Sequence, residues 1–365
     1  MLHEILLLVA LLYGLQIILF AIAASKARYP SDPTFLPTVS IIIAARNEET
    51  NIRRCLESIT RLTYPLHLLK VLVVDDRSTD ATPSIVREFI RRYSHMKLVV
   101  GGPHTDHLRG KANAVTQGIE SSHGEILFLT DADCVVPARW VEETVKYYTE
   151  EHVGIVAGFT ALQNASLFSS LQALDWYLLL SVAAATIRLR FPVTAVGNNF
   201  SIRRKAYEDV GGYRAIPFSV TEDYALFRAV TSTTDFTARL PLDTATLVES
   251  EACATWKDLY RQKKRWFVGG RDLGKKSLTI ISVAWLLNAL IIVSAILMPG
   301  WQVWVSVAIK FLADFALVLP ALTRFKRLNL LVYFPLYQLY YVGYILLFPV
   351  LVLFDREVVW KERVM

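Results

Sequence analysis

The chain has 365 residues, 53% hydrophobic and 20% charged, with a mean hydropathy of +0.36. It is too apolar for an ordinary soluble enzyme and too charged for a bare bundle of membrane helices, so the composition requires a polar domain joined to membrane segments. The net charge is +6. Basic residues gather beside apolar stretches, at Lys26 and Arg28, from Arg261 to Arg271, at Lys275 and Lys276, and at Arg324, Lys326 and Arg327. That placement suits an anionic membrane surface or an anionic substrate. No basic stripe interleaved with aromatics argues for nucleic acid. Cys55, Cys134 and Cys253 are scattered without CxxC spacing, which supports neither a disulfide framework nor a zinc site.

In chain order, Ile5 to Ala24 is apolar apart from Gln16 and is long enough to span a bilayer. Ala21-Ile-Ala23 resembles a signal-peptide cleavage site, but the start Met-Leu-His-Glu carries no lysine or arginine and the apolar run is longer than a signal peptide needs. Lys26 and Arg28 then place the following domain on the cytoplasmic side.

From Pro37 to about Val248 strand and helix patterns alternate. VSIIIAA precedes a helix marked by Ile52, Cys55, Leu56 and Ile59, and VLVVD precedes a helix from about Thr82 to Tyr93. KLVV precedes GKANAVTQGIESS, EILFLTD precedes a helix from Pro137 to about Glu150, and VGIVAGF follows. Repeated βα units predict an α/β fold with a mostly parallel sheet. No GxGxxG or GxxxxGK[ST] motif follows any strand, which excludes a dinucleotide or P-loop domain. The predicted organisation is a membrane helix in residues 1–30, a cytosolic domain in 31–274 and a membrane region in 275–365.

Ser166 to Arg190 is long and apolar over much of its circumference. It fits a buried core helix, and equally a helix in the membrane interface with Trp176 and Tyr177 at headgroup level. Three further apolar stretches run from about Leu278 to Met298, Trp301 to Leu322 and Leu328 to Phe354, with a tight turn at Pro299-Gly300. Lys310 and Asp314 have the i,i+4 spacing of an ion pair inside the second stretch, which reads as functional, or equally as a structural pair or snorkelling. The third, with Pro335 and Pro349, reads as an interfacial helix followed by a short span. A count of four spans puts the C-terminus outside, whereas Arg356, Lys361 and Arg363 favour the inside.

The chemistry lies in acidic clusters at strand ends. Carboxylates at the carboxyl ends of parallel strands open into the crevice where α/β sheets bind ligands. Asp131 and Asp133, after ILFLT, have the spacing to share one hard divalent cation with substrate phosphates. Such a cation offsets charge on a departing diphosphate. Lys111 opens a helix, where an ammonium and free N–H groups favour phosphate. Asp75 and Asp76 end the second strand, before a Ser78-Thr-Asp80 turn in which Asp80 is explained by capping. A carboxylate there suits the N–H of a uracil ring. Asp223 starts the helix TEDYALFRAV, where it serves either as a first-turn acid or as a general base toward an acceptor hydroxyl. His104 and His107 fall in a polar loop with Gly101, Gly102 and Pro103, which explains them better than a metal site.

AARNEE, VVDDRSTD, GKA, TDAD, GNNFSIRRKAYEDVGGY, TED and Gln262-x-x-Arg265-Trp266, in this order, resemble the membrane-bound family 2 glycosyltransferases, a group that includes polysaccharide synthases and lipid glycosyltransferases. The resemblance covers about Pro37 to Gly270, and Trp360-Lys-Glu-Arg363 is similar to the WKGR ending of many members. It implies a GT-A type nucleotide-diphospho-sugar fold, inversion at the anomeric carbon and a Mg2+ or Mn2+ ion. By match, Ala45, Glu48, Asp75, Asp76, Lys111 and Asp131 would contact the nucleotide sugar, with Asp75 and Asp76 at the uridine. Asp131 and Asp133 would hold diphosphate and metal, and Asp223 would be the base. Glu222, Gln262, Arg265 and Trp266 would serve the acceptor side and the diphosphate. Arg46 stands where the family usually carries an aromatic, and its guanidinium can stack on uracil. The expected function is transfer from a UDP-sugar to a membrane lipid or lipid-linked acceptor. The alternative is processive synthesis and export of a β-linked polymer, for which four spans are few. Retention of every acidic motif argues against an inactive scaffold.

Overall fold

The computed structural model describes residues 1–104, 107–270, 274–354, 359–360 and 363–364. In chain order the elements begin with α1 (Leu2–Ser25), β1 (Val39–Ala45), α2 (Ile52–Ile59), β2 (Leu69–Asp75), α3 (Thr82–Ile90) and β3 (Met96–Val100). There follow α4 (Gly110–Glu120), β4 (Ile126–Asp131), α5 (Trp140–Val145), β5 (Val153–Ala157), β6 (Thr160–Leu162) and α6 (Leu167–Arg188). Next come β7 (Phe200–Arg203), α7 (Arg204–Asp209), α8 (Gly212–Ala215), α9 (Glu222–Thr233), β8 (Thr237–Arg239) and β9 (Val248–Ser250). Four long helices then follow, α10 (Trp256–Gly269), α11 (Lys275–Leu297), α12 (Trp301–Arg324) and α13 (Phe334–Phe354). They fall into two units. An α/β unit holds Arg28–Ala161 and Thr194–Glu251, and a helical unit holds Met1–Ala27, Leu162–Val193 and the long helices after Ala252. Residues 166–190 and 255–270, which the sequence places in one domain with the strands, therefore belong with the helical unit. α6 is largely buried there by other long helices, whereas α10 buries Leu259 and leaves Trp256 and Phe267 exposed.

The α/β unit is built on a seven-stranded sheet of order β3-β2-β1-β4-β7-β5-β8. β3, β2, β1 and β4 are parallel neighbours, as the βα pattern predicts. β7 then enters antiparallel between β4 and β5. β1 is buried along almost its whole length because helices cover both faces of a parallel sheet. α2 supplies one cover, burying Ile52, Cys55, Leu56 and Ile59 at helical spacing. Register decides what reaches the crevice. Ala45 of β1 lies opposite Asp75 of β2, and Ala44 lies opposite Asp131 of β4. Two acids thus flank the end of β1 on strands about 10 Å apart.

The helix predicted from Pro137 to Glu150 is shorter. α5 ends at Val145 and passes into a 3-10 turn, Lys146–Tyr148. The carbonyls of that turn are engaged in tertiary bonds: Lys146 accepts from the Asp32 N–H (3.1 Å), Tyr147 from Arg239 (2.7 Å) and Tyr148 from Arg203 (2.8 Å). Asn199 holds the segment before β7. Its Nδ2 donates to the carbonyls of Phe159 (2.7 Å) and Thr246 (2.8 Å), and its Oδ1 accepts from the Trp140 indole (2.9 Å).

In the helical unit, five helices are long and apolar enough to cross a membrane: Leu2–Ser25, Leu167–Arg188, Ser277–Leu297, Trp301–Arg324 and Leu328–Val352. The sequence predicts four, because α6 reads equally as a core or interfacial helix. Trp176 and Tyr177 are buried in protein. Trp176 packs on Trp266 and Tyr177 on Phe325. The last apolar stretch is also not an interfacial helix plus a short span. A 3-10 turn, Leu328–Tyr333, leads into the single helix α13. Pro335 lies in its first turn, where a missing N–H costs nothing. Arg271, Arg356 and Lys361 lie outside the described residues.

Lys310 and Asp314 do pair, at 2.8 Å and fully buried. Asp314 also accepts from Tyr13 of α1 (2.5 Å) and Gln338 of α13 (3.1 Å), and Lys310 donates to Gln338 and lies 4.9 Å from the centre of the Tyr341 ring. The pair ties three helices together.

Asn199→Ala should destabilise the protein by about 2 kcal/mol or more, since it strands the Thr246 carbonyl and the Trp140 indole N–H at roughly 1–3 kcal/mol each, while the Phe159 carbonyl keeps the Val248 N–H. A thermal unfolding midpoint in detergent unchanged from wild type would refute that accounting.

Candidate active site

The crevice at the end of β1 is closed on one side by two interlocked loops. Asn47 turns the chain after β1 in a left-handed conformation (φ 50°), which asparagine tolerates better than most residues. Its Oδ1 accepts from the Thr79 N–H (2.9 Å), while the N–H groups of Asn47, Glu48 and Glu49 donate to Ser78 (3.1 Å), Thr82 (2.8 Å) and Asp80 (3.0 Å). Asp80 also accepts from the Thr82 N–H (2.9 Å), but it stands one residue before the cap of α3, which is Ala81 and not Asp80 as expected. AARNEE and VVDDRSTD thus form one hydrogen-bonded wall.

Asp75 and Asp76 lie at its base. Asp75 accepts from the Ser78 N–H (3.2 Å). Asp76 is only 2% exposed, and its backbone N–H donates to the Ala45 carbonyl (2.8 Å). Its carboxylate lies 2.9 Å from His104 Nε2. Arg46 donates to the carbonyls of Asp76 (3.0 Å) and Arg77 (3.4 Å), and its Nε finds no acceptor among the described residues. The guanidinium is therefore held by one edge. Ala45 is a core residue that acts through its carbonyl. Glu48 accepts from Asn51 (3.1 Å).

Lys111 stands at the centre of the acids. It pairs with Asp131 at 2.6 Å and with Glu222 at 3.0 Å. Burial pulls its ammonium down, but Asp131, Glu222 and Asp223 outweigh burial and hold it above its ordinary value. The cation at the start of α4 thus ties the end of β4 to the start of α9. Asp223 is fixed by the chain before β7: its Oδ2 accepts from the Gly197 N–H at 2.6 Å and its Oδ1 from Tyr224 N–H at 2.8 Å. A Cβ at Gly197 would lie 2.5 Å from Asp223 Cβ, so only glycine admits this approach.

Asp133 is partly buried and pairs with no basic side chain among the described residues. Its carboxylate accepts from the Cys134 thiol (3.4 Å). Burial, then Asp131, then Glu48 push its carboxyl from the ordinary 3.8 up to about 6. Two repelling carboxylates of all-oxygen character fit a hard divalent cation. No cluster of three or more His, Cys, Asp or Glu side chains suited to a metal gathers among the described residues, so the remaining ligands would come from substrate and water.

Asp75, Asp76, Lys111, Asp131, Asp133, Glu222 and Asp223 all belong to the α/β unit, whereas Gln262, Arg265 and Trp266 lie on α10 of the helical unit. Trp266 packs on Trp176 with ring centres 5.7 Å apart. Sequence reasoning missed His104 and Gly197. A loop histidine gives no periodic signal, and the Gly197 contact joins residues 26 positions apart.

Comparison with known proteins gives this geometry a family. The profile of glycosyl transferase family 2 matches residues 40–211, and that of glycosyl transferase family group 2 matches residues 126–353, more than half the chain. The chain is 30% identical over 245 residues to a probable glycosyltransferase, YdaM, of Bacillus subtilis, covering 65% of this chain and 56% of that one. It is 29% identical over 244 residues to a beta-monoglucosyldiacylglycerol synthase of Nostoc sp., covering 64% and 49%. It is 25% identical over 243 residues to a poly-beta-1,6-N-acetyl-D-glucosamine synthase of Staphylococcus epidermidis, covering 64% and 55%. The chain thus spans about half the length of these relatives. In fold it is similar to a mannosyltransferase from Pyrobaculum calidifontis in complex with GDP-Man and Mn2+, with a TM-score of 0.63 at 22% identity over 93% of this chain and 99% of that one.

In chelator, Asp133→Asn should stabilise the metal-free protein. An acid whose folded pKa is raised loses stability as pH climbs from its unfolded value toward the folded one, here from 3.8 to about 6. The gain should be absent below pH ~4 and reach on the order of 1–2 kcal/mol above pH ~6. Thermal unfolding of both proteins across that range is the measurement, and a gain independent of pH would contradict the like-charge origin.

Because the family models match residues 40–211 and 126–353, the second spanning more than half the chain, the chain belongs to the family 2 glycosyltransferases.

Proposed function

We propose that the protein transfers a sugar from a UDP-sugar to a hydroxyl of a membrane lipid or lipid-linked acceptor, with inversion at the anomeric carbon. The observation that carries this most directly is the seating of Asp223. A general base must be positioned within hydrogen-bond reach of the proton it takes. The Gly197 N–H holds one Asp223 oxygen and the Tyr224 N–H the other, which fixes the plane of the carboxylate. Lys111, beside it, keeps Asp131 and Glu222 from repelling it apart. A base on one side and a diphosphate leaving from the other give a single displacement, hence inversion.

Asp131 and Asp133 would hold the divalent cation, which when bound offsets charge on the leaving diphosphate. Asp76 and Asp75 would receive the base and ribose, with His104 and Arg46 fixing the Asp76 segment. Gln262, Arg265 and Trp266 would serve the acceptor side, Arg265 by the bidentate bonding its planar fork allows.

Support for a lipid acceptor comes from the five apolar helices and from the likeness to a beta-monoglucosyldiacylglycerol synthase. The likeness to a poly-beta-1,6-N-acetyl-D-glucosamine synthase favours the second reading, processive polymer synthesis. Incubating membranes with a panel of radiolabelled nucleotide sugars separates the two. Label should enter the organic-extractable lipid fraction. Label confined to high-mass polymer would select the second reading, and no transfer from any UDP-sugar would end the first.

Asp223→Asn keeps shape but loses basicity, and should lower kcat by at least ~10³-fold, toward the upper range for general base catalysis, while UDP-sugar binding stays within a few-fold of wild type. Gly197→Ala should have the same signature in milder form, because its methyl displaces the carboxylate. Parallel loss of donor binding in both variants would assign Asp223 to the donor site.

A further inference from the structure

The helical unit contains a second buried ion pair, and it involves the acceptor-side motif itself. Lys263 lies inside Gln262-Lys263-Lys264-Arg265-Trp266 and pairs with Asp175 of α6, their side chains 3% and 8% exposed. Its ammonium also lies 4.5 Å from the centre of the Trp266 ring and 4.7 Å from that of Tyr344 on α13. Around α10, at 3.6 residues per turn, Trp266 falls between Gln262 and Lys263. The face that Lys263 anchors therefore borders the face that carries the motif. Trp266 is held from two sides, by Trp176 and by the Lys263 ammonium. The aromatic contacts Trp256–Tyr340 and Tyr260–Phe348 continue the same α10–α13 seam.

A buried ion pair is a poor device for stability alone, since an apolar pair of similar volume is often as stable. What it supplies is direction, because a buried ammonium must point at its carboxylate. We propose that Asp175 and Lys263 are positioning residues for the acceptor-side motif, fixing the rotation of α10 and so the orientation of Trp266 and Arg265. The proposal rests on the acceptor role given to that motif above. It takes Lys263, a position the motif leaves unspecified, as the point where the motif helix is registered against α6 and α13.

The test is the double variant Asp175→Leu/Lys263→Met in the full chain, which removes both charges together. Its thermal midpoint in detergent should stay within a few degrees of wild type. Its kcat should fall at least tenfold with donor KM unchanged within twofold, and amide exchange over Trp256–Gly269 should accelerate. Wild-type kcat with wild-type exchange would overturn the proposal and leave the pair as a packing feature. Should the double variant not fold, Lys263→Arg decides. Its guanidinium keeps a positive charge beside Asp175, though as a planar fork and not a point charge, so kcat should fall less than in Lys263→Met, and a loss as large as that of Lys263→Met would overturn the proposal. The exchange measurement needs neither donor nor acceptor. If the wild-type chain transfers no sugar, the acceptor role fails while the anchoring of α10 is still decided.

Discussion

The Lys111 ammonium is the interaction on which the site depends. Asp131, Asp133, Glu222 and Asp223 are gathered at the end of β4 and the start of α9, and such a concentration of negative charge would spread apart without a cation. Lys111 reaches it from the first turn of α4 and bonds Asp131 and Glu222 at once. Because one contact lies on the strand and the other on the helix, the same ammonium sets the spacing of the DxD segment and the TED segment. Asp133 is compensated only in part: Lys111 lowers its pKa, but burial, Asp131 and Glu48 outweigh that and raise it.

Backbone geometry provides the second constraint. The base proposed here is not held by a side-chain partner alone but by a peptide N–H at Gly197, in a segment itself fixed by Asn199. Such a contact admits little adjustment, since a peptide cannot rotate away as a side chain can. It also explains why the antiparallel strand β7, which interrupts the parallel order, matters: the chain entering β7 carries Gly197 to the carboxylate.

In the helical unit the charges are equally purposeful. Lys310–Asp314 and Lys263–Asp175 are each removed from water and each surrounded by tyrosines. Each joins helices that apolar packing alone would leave free to rotate or slide. The first links α1, α12 and α13, and the second links α6, α10 and α13.

Much of this was legible in the sequence. The runs VSIIIAA, VLVVD and ILFLTD are mostly apolar, as strands of a sheet covered on both faces are, and acids at their ends open into the crevice of such a sheet. The i,i+4 spacing of Lys310 and Asp314 was enough to foresee their bond, because a helix brings such residues together by itself. Local order thus determined the parallel sheet, the apolar helices and the residues of the acidic clusters. Tertiary structure alone decided who meets whom across long stretches of chain: His104 with Asp76, Gly197 with Asp223, Lys263 with Asp175. It also decided that α6 is buried in protein and that the chain after α5 gives its carbonyls to Arg239, Arg203 and the Asp32 N–H instead of continuing a helix. The reason is the same in each case. Periodicity encodes which face of an element is apolar, but a polar partner is chosen by register and crossing geometry, and these exist only once the elements have packed.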